Sequence, residues 1–291
     1  MLRRVAVMEP VHPDALSCLR AARWEVVGDL AGASAVILRT RRVTAAELAG
    51  LGLVSKHGVG VDNIPLEAAR GAGVWVTNTP GANAAAVAEQ AMMFLLALAR
   101  DLDGQRAGRV AGVRGVEGMR LAVLGFGASG QRLARLAAAF GMVVTVVARG
   151  RADAAGFAVA DLAGALAGAD ALSLHVPLTD ATRGMIGAAE LAEMAPGALV
   201  VNCARGGIVD EAALAAAIAS GHLAGAGLDV AEVEPMPVDH PLRRLPGVIV
   251  TPHAAGLGQG AFRRMGMEAA RNVIDWGEGR LRPGVIVVAG R

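Results

Sequence analysis

Three polar side chains in the second half of the chain could carry acid–base and anion-binding chemistry. Arg205, a carboxylate among Asp229, Glu232 and Glu234, and His253 each come shortly after a short apolar stretch that is typical of a buried strand. A guanidinium binds a carboxylate through two hydrogen bonds and can reach an adjacent keto oxygen, and a histidine bonded to a carboxylate can exchange a proton with a carbonyl oxygen. Taken singly, Arg205 is explained more simply by a surface salt bridge and His253 by a helix cap or a core position. Together, the three residues predict the interconversion of a carbonyl and a hydroxyl group.

A glycine-rich hexapeptide, GFGASG, begins at Gly125 after a run of four apolar residues. Gly125 allows a tight turn, Gly127 lets backbone N–H groups approach a pyrophosphate, and Gly130 lets the following helix pack close to the sheet. The motif alone is weak in a chain with 39 glycines, but a β-branched strand at 143–147 follows at the distance expected of a dinucleotide-binding unit. A dinucleotide-binding loop in this half of the chain favours the chemical interpretation of the three polar residues.

A second glycine-broken segment, HGVGVDN at 57–63, comes directly after a predicted strand. Open α/β sheets bind ligands at the carboxyl ends of their strands, so backbone N–H groups of this segment could bind an anionic substrate. The alternative is a plain strand-to-helix connection with Asp62 or Asn63 as the helix cap. Lys56, the only lysine, precedes the segment. We expect Lys56 either to meet a distal anionic group of the substrate or to be an exposed residue at a strand end.

The elements that must position these groups alternate between strand and helix. The first part of the chain predicts strands at 4–8, 35–38, 53–56 and 74–76, with helices at 13–22 and 44–51. This alternation predicts a small parallel sheet with helices on both faces, in a separate domain. Asn83 is expected to cap a long apolar helix that runs to Arg100 and crosses to a second domain, and 101–118 is expected to be an exposed loop.

The second part of the chain predicts a full dinucleotide-binding sheet. Six strands are expected near 121–124, 143–147, 171–174, 198–201, 225–228 and 248–250. A last helix at about 260–276 and a strand at 285–288 are expected to return to the first domain. The prediction is an α/β fold in which a Rossmann-type doubly wound parallel sheet domain is inserted in a smaller flavodoxin-like α/β substrate domain. The substrate domain comprises 1–84 and 259–291, the dinucleotide-binding domain comprises 85–258, and the active site lies in the cleft.

Composition limits the partners. The 291 residues are 54% hydrophobic, and a net charge of only +2 argues against nucleic acid. The longest apolar run is half the length that a bilayer span needs, and the apolar run near the N-terminus is too short for a signal peptide. Two distant cysteines, Cys18 and Cys203, show no metal-ligand spacing and fit a reducing compartment. We therefore expect a cytoplasmic protein with no metal, no membrane and no nucleic-acid partner.

The chain resembles the D-isomer-specific 2-hydroxyacid dehydrogenase family over nearly its whole length, and its phosphoglycerate and hydroxypyruvate/glyoxylate branches most of all. The motifs that carry the resemblance are HGVGVDN at 57–63, NTPGAN at 78–83, VAEQ at 87–90, GFGASG at 125–130, HVPLT at 175–179, NCARGGIVDE at 202–211, DVAEVEP at 229–235 and TPHAAG at 251–256. Their number and order make the resemblance specific. It implies a dehydrogenase that transfers a hydride between a nicotinamide cofactor and a small 2-oxo or 2-hydroxy acid, and a homodimer, although the linker 101–118 is short for the family.

The resemblance also implies roles for individual residues. Arg205 would bind and polarise the 2-oxo acid, His253 would be the acid–base, and Glu234 would orient His253. The implied substrate ligands are Val59, Gly60 and Asn83, in addition to Lys56. The implied cofactor contacts are Asp229 on the nicotinamide carboxamide, His175, Val176 and Pro177 on the adenine side, and Ala128, Ser129, Cys203, Ala204 and Gly256 beside the glycines of the loop.

One position departs from the pattern of NAD-using relatives. An acidic residue that binds the ribose hydroxyls ends the second strand of such domains, whereas this chain has Ala148 followed by Arg149 and Arg151. No carboxylate repels a 2′-phosphate here, and two guanidiniums can bind it, so we predict NADP as the preferred cofactor. The alternative is NAD, with Arg149 merely capping a loop in an arginine-rich chain. Asp153 lies too far downstream to replace the missing acid.

Two other functions compete with this interpretation. A non-catalytic dinucleotide-sensing or corepressor-like protein could use the same fold. Retention of Arg205, Glu234 and His253 argues against it, because a sensor needs only the nucleotide-binding half. A formate-dehydrogenase-like enzyme is disfavoured because that branch is expected to pair its histidine with an amide rather than with a glutamate.

Overall fold

The computed structural model describes residues 3–110, 112–148 and 156–290. Contacts within the chain divide it into two units, Met1–Asn83 with Gly256–Arg291, and Ala84–Ala255. These limits lie one and three residues from the boundaries predicted from the sequence. The assignment of substrate to the first unit and of dinucleotide to the second stays a prediction.

The first unit contains six strands. Its elements before the chain leaves it are β1 (Arg3–Val7), α1 (Pro13–Ala21), β2 (Trp24–Val27), β3 (Ala35–Leu38), β4 (Leu53–Lys56), α2 (Leu66–Ala72) and β5 (Trp75–Thr77). The second unit contains α3 (Ala84–Ala99), α4 (Leu102–Arg106), β6 (Arg120–Leu124), α5 (Ala128–Ala139), β7 (Val143–Val147), β8 (Ala158–Val159), α6 (Leu162–Leu166), β9 (Ala171–Leu174), α7 (Ala188–Ala192), β10 (Ala198–Asn202), α8 (Glu211–Ala219), β11 (Leu223–Leu228), α9 (Pro241–Arg244) and β12 (Val248–Val250). The chain returns to the first unit with α10 (Gln259–Gly277) and β13 (Ile286–Val288).

The sheet of the first unit has the order β13-β5-β4-β3-β1-β2. All its pairs are parallel except that of β13 with β5, which is antiparallel. Without that edge strand the order is 2-1-3-4-5, as in flavodoxin-like folds. One face packs Val5, Ile37 and Leu53 against Ala269 and Val273 of α10, so apolar burial places the final helix on this sheet.

The sheet of the second unit is parallel throughout and has the order β12-β11-β10-β9-β6-β7-β8. Numbered within the unit, the order is 3-2-1-4-5-6 with a seventh strand at the edge, which is the doubly wound arrangement of dinucleotide-binding sheets. The order reverses between β6 and β9, where such sheets bind their ligand. On one face, Val123 and Val146 pack against Phe94 and Leu133. A second apolar cluster lies on the other face, so helices cover both faces of the sheet. The predicted α/β fold is confirmed.

Several local predictions were wrong. The segment 44–51, expected to be a helix, contains only a 3₁₀ turn at Ala46–Leu48. The backbone N–H of Glu47 donates a hydrogen bond to the Thr44 hydroxyl at 3.3 Å. The strand Trp24–Val27 was missed because Glu25 interrupts its apolar pattern at the edge of the sheet.

The predicted loop 101–118 contains α4, because the Asp101 carboxylate accepts the N–H of Gly104 at 3.0 Å and starts a helical turn. The second sheet also has a seventh strand, the two-residue β8, which is too short to give a periodic signal.

Neither a bilayer-spanning helix nor a metal-binding cluster occurs among the described residues. None of their helices is both long and apolar enough to cross a bilayer. Within the same part of the chain, no group of three or more His, Cys, Asp or Glu side chains is arranged to hold a metal ion.

Candidate active site

The glycine-rich loop joins β6 to α5 by close backbone packing. Gly125 has a φ of +97°, and a Cβ atom there would lie 2.7 Å from the carbonyl oxygen of His175. A Cβ atom on Gly130 would lie 2.0 Å from the carbonyl oxygen of Gly125. Gly127 occupies the N-cap of α5 without a side chain to cover it. The first turn of α5 can therefore present its N–H groups to the phosphates of a dinucleotide.

A hydrogen-bonded histidine supports this loop. His175 follows β9, and its Nδ1 lies 3.1 Å from the Ser129 hydroxyl while its Nε2 lies 3.0 Å from the Ser173 hydroxyl. Burial lowers the pKa of His175 to about 4, so the ring is neutral at physiological pH. Val176 and Pro177 follow immediately and are half-buried and exposed, respectively. The contact of Ser173 with His175 was not predicted from the sequence. It could have been, because residues two apart on a strand lie on the same face, and Ser173 precedes His175 by two.

The position that decides between the two cofactors is only partly described. Ala148 follows β7 and is half-buried against the core, with no carboxylate at that position. Arg149 and Arg151 lie outside the described residues. The preference for NADP stays a prediction.

Arg205 is held in a tight turn after β10. The Asn202 side chain spans this turn: its Nδ2 donates to the Arg205 carbonyl at 2.9 Å and its Oδ1 accepts the Ala204 N–H at 3.0 Å. The Arg205 guanidinium donates to the Ala204 carbonyl at 2.7 Å. Asn202 was missed because an asparagine at the end of a buried strand shows its role only when the turn is known. Burial and the nearby Asp229 carboxylate raise the pKa of the Cys203 thiol, which therefore stays protonated and is no nucleophile.

Asp229 organises the loop that carries His253. Its carboxylate is buried, and Oδ1 accepts the Thr251 hydroxyl at 2.5 Å and the Ala254 N–H at 2.8 Å, while Oδ2 accepts the Ala255 N–H at 2.8 Å. Its carbonyl accepts the N–H of His253 at 2.8 Å. His253 adopts a φ of 53°, a left-handed conformation that is rare for a bulky residue and that these bonds maintain. The predicted contact of Asp229 with the nicotinamide carboxamide stays a prediction.

His253 and Glu234 form a hydrogen-bonded pair. Nδ1 of His253 lies 2.7 Å from Oε2 of Glu234, and the two side chains are 47% and 38% exposed. Burial raises the pKa of Glu234, but the bond and charge of His253, the Ala231 N–H and the charge of Arg205 outweigh it and lower that pKa. Glu234 is therefore ionised near neutral pH, holds the Nδ1 proton of His253 and leaves Nε2 to exchange a proton with a ligand. The structure brings the three predicted residues into one electrostatic unit.

The expectation that Lys56 is exposed at a strand end is wrong. Its side chain is buried, not exposed at a strand end, and Nζ donates to the Asn63 side chain at 2.6 Å and to the Arg39 carbonyl. Asn63 also donates to the Arg41 carbonyl at 2.6 Å, so it ties two loops together. It does not cap the next helix, whose N-cap is Pro65. A contact of Lys56 with an anionic substrate group stays a prediction.

The remaining predicted residues of the first unit lie in two places. The Val59 side chain is 40% exposed, and its carbonyl accepts the Asn78 amide at 2.8 Å. Asn83 lies just before α3, and a Cβ atom on Gly256 would lie 2.9 Å from its Nδ2. The substrate contacts of Val59, Gly60 and Asn83 and the cofactor contact of Gly256 stay predictions.

Comparison with known proteins agrees with this geometry. Residues 92–255 match the family model for the D-isomer specific 2-hydroxyacid dehydrogenase NAD binding domain. The D-3-phosphoglycerate dehydrogenase of Archaeoglobus fulgidus is 34% identical over an alignment of 303 positions, which covers 95% of this chain and 58% of that protein. The glyoxylate reductase of Aeropyrum pernix is 37% identical over 256 residues, covering 81% of this chain and 76% of that protein.

Among solved structures, the TT0316 protein of Thermus thermophilus superimposes with a TM-score of 0.89 at 35% identity, over 98% of this chain and 100% of that chain. The chain spans 58% and 52% of the length of the D-3-phosphoglycerate dehydrogenases of Archaeoglobus fulgidus and Mycobacterium bovis. The fold, the glycine-rich loop and these similarities agree, and the chain belongs to the D-isomer specific 2-hydroxyacid dehydrogenase family.

Proposed function

We propose that the protein is an NAD(P)-dependent oxidoreductase that interconverts a small 2-oxo acid and the D-2-hydroxy acid. The observation that carries this proposal is the His253–Glu234 pair at 2.7 Å, within the electrostatic influence of Arg205. The nicotinamide, when bound, supplies or accepts the hydride at C2 of the substrate. The loop that begins at Gly125 and the first turn of α5 would hold its pyrophosphate.

The chain's own residues account for the remaining chemistry. Arg205 binds the substrate carboxylate and polarises the 2-oxo group, because a planar guanidinium can bond both. During reduction, Nε2 of protonated His253 donates its proton to the oxygen on C2, and Glu234 stabilises the ring that carries the charge. In the oxidative direction, neutral His253 takes the hydroxyl proton back. A non-catalytic sensor is not supported, since it would need none of these three side chains.

The substrate class follows from the relatives by analogy. Proteins similar to this chain carry the names glyoxylate reductase, hydroxypyruvate reductase and D-3-phosphoglycerate dehydrogenase. We propose a hydroxypyruvate/glyoxylate-type or phosphoglycerate-type substrate. The preferred cofactor is NADP, because Ala148 leaves no carboxylate to repel a 2′-phosphate and Arg149 and Arg151 follow it in the sequence. NAD is the alternative.

The quaternary structure that we propose is a homodimer in the cytoplasm. Helices α3 and α5 present an apolar groove of about 540 Å³ whose lining includes Met92, Met93, Leu96 and Leu136. Met93 is 43% exposed and lies beside these other apolar side chains, and a contiguous exposed apolar patch is typical of a protein–protein contact. A second copy of the chain would cover this surface. The free thiols Cys18 and Cys203 fit a reducing compartment.

The proposal is tested by initial rates with purified protein. NADPH and NADH oxidation is followed by absorbance with glyoxylate, hydroxypyruvate and 3-phosphohydroxypyruvate, for the wild type and for Arg205→Lys. We expect turnover of at least one 2-oxo acid, faster with NADPH, and a loss of both kcat and substrate affinity in Arg205→Lys, because an ammonium cannot reproduce the two-pronged contact. Turnover with NADH alone would contradict the cofactor preference, and no turnover with any of these acids would contradict the substrate class.

A further inference from the structure

A second histidine–carboxylate pair lies behind the loop that carries Glu234. Glu211 is the first residue of α8, and its Oε2 lies 3.2 Å from Nε2 of His240. Its Oε1 accepts the backbone N–H of Glu232 at 2.7 Å. The Glu211 side chain is only 14% exposed, so its oxygens depend on these two partners more than on water.

The ring of His240 is oriented by its cap of the next helix. Nδ1 of His240 accepts the N–H of Leu242 at 3.3 Å, as the N-cap of α9. This bond turns the other ring nitrogen, Nε2, toward the Glu211 carboxyl group, 3.2 Å away. Glu211 therefore contacts the loop through Oε1 and the N-cap of α9 through Oε2.

Glu211 also interacts electrostatically with the loop. Burial raises the pKa of Glu211, and the carboxylates of Glu232 and Glu234 raise it further, against the effect of His240. The Glu211 and Glu234 carboxyl groups therefore lie close enough to influence each other. The titratable and charged groups that face the two carboxylates are His240, Glu232, His253 and Arg205.

The backbone contact acts on the same segment. Glu232 lies two residues before Glu234, and the Glu234 carboxylate itself accepts the N–H of Ala231 at 3.3 Å. We infer that Glu211 and His240 are positioning residues for the reaction: they fix the loop at Glu232 and so set the orientation in which Glu234 meets His253. The inference rests on the proposed function only in taking His253 as the acid.

The test uses two variants and a matched control. Glu211→Gln keeps the size of the side chain and one carbonyl acceptor. It removes the carboxylate and places an amide N–H group where a carboxylate oxygen faced Nε2 of His240. His240→Asn keeps an N-cap acceptor for α9 and removes the ring nitrogen that faces Glu211 at 3.2 Å. His12→Asn is the control, because His12 also precedes a proline and caps a helix through Nδ1, on the Asp14 N–H at 3.2 Å, but in the other unit.

Three quantities are measured for each protein. They are kcat, the dissociation constant of the dinucleotide by calorimetry, and the pH midpoint of the His253 imidazole signal by NMR, identified through its loss in His253→Ala. For Glu211→Gln we expect kcat to fall about tenfold, dinucleotide affinity to stay within twofold, and the midpoint to move down by about 0.5 pH unit. His240→Asn should lower kcat about threefold, and His12→Asn should change none of the three.

Two results would overturn the inference. One is a Glu211→Gln protein with a kcat within twofold of wild type and an unmoved midpoint. The other is a loss of kcat accompanied by an equal loss of dinucleotide affinity, which would indicate general damage to the fold. If Glu211→Gln does not fold, the same measurements on His240→Asn test the positioning role. The NMR titration needs no substrate, so it decides the coupling even if the protein reduces none of the 2-oxo acids.

Discussion

Asp229→Asn should both destabilise the protein and slow its reaction. The buried Asp229 carboxylate accepts hydrogen bonds from Thr251, Ala254 and Ala255. The single oxygen of an asparagine can keep two of them, but its amide group then opposes the N–H of Ala255, which is 5% exposed. An unsatisfied buried N–H costs about 1–3 kcal/mol, and loss of charge from the other two bonds costs about 1 kcal/mol each, so we expect the free energy of unfolding to fall by about 3–5 kcal/mol. Because His253 lies in this loop, kcat should fall about 10- to 100-fold.

The assay combines urea unfolding with initial rates, and Asp170→Asn is the matched control. The Asp170 carboxylate accepts one exposed N–H, that of Arg120 at 2.8 Å, so its substitution should change the free energy of unfolding by less than about 1 kcal/mol. If Asp229→Asn unfolds within 1 kcal/mol of wild type and keeps its kcat, Asp229 does not organise the loop.

Three further predictions concern other parts of the molecule. Burial raises the pKa of Glu9, but hydrogen bonds from Thr40 and its neighbours outweigh it and lower that pKa to about 2. Glu9→Gln should therefore reduce the free energy of unfolding by about 1–2 kcal/mol at pH 7. Urea unfolding at a series of pH values should show this difference disappear as the pH falls from about 4.5 to about 2. Ser129→Ala removes the partner of His175 Nδ1 and should weaken dinucleotide binding about 3- to 10-fold by calorimetry, whereas unchanged affinity would exclude that support. Met93→Asp should yield a monomer in sedimentation velocity; a variant that is still a dimer would place the interface elsewhere.

The sheets were largely predictable because strands buried on both faces leave continuous apolar runs. The strands at 35–38, 53–56 and 143–147 have the predicted limits. The first two are flanked by polar or glycine residues, and the third is a continuous β-branched run. The edge strand Trp24–Val27 has one partner and carries Glu25, so its pattern is broken. Helix α4 depends on a single side-chain cap, a contact that composition does not reveal.

Less of the candidate site than of the sheets could be predicted from the sequence. Arg205, Glu234 and His253 could be singled out because their chemistry is unusual at the ends of apolar strands, and the structure brings them together; their catalytic roles stay predictions. Asn202 and Thr251 were missed, since residues that clamp a turn or a loop look like ordinary turn residues until their partners are known. Lys56 can be buried because the Asn63 side chain and the Arg39 carbonyl accept its hydrogen bonds. Lysine is usually exposed, so residue type alone favoured an exposed position.

The most direct test of the proposed mechanism is single-turnover hydride transfer in His253→Ala. The variant is mixed with saturating NADPH and the best 2-oxo acid of the wild type, and the absorbance decay is compared with that of wild type at pH 7, with dinucleotide affinity measured in parallel. We expect the rate to fall about 10²- to 10⁴-fold with dinucleotide affinity unchanged, because the proton donor is lost and the nucleotide-binding loop is not. A rate within threefold of wild type would contradict the assignment of His253 as the acid.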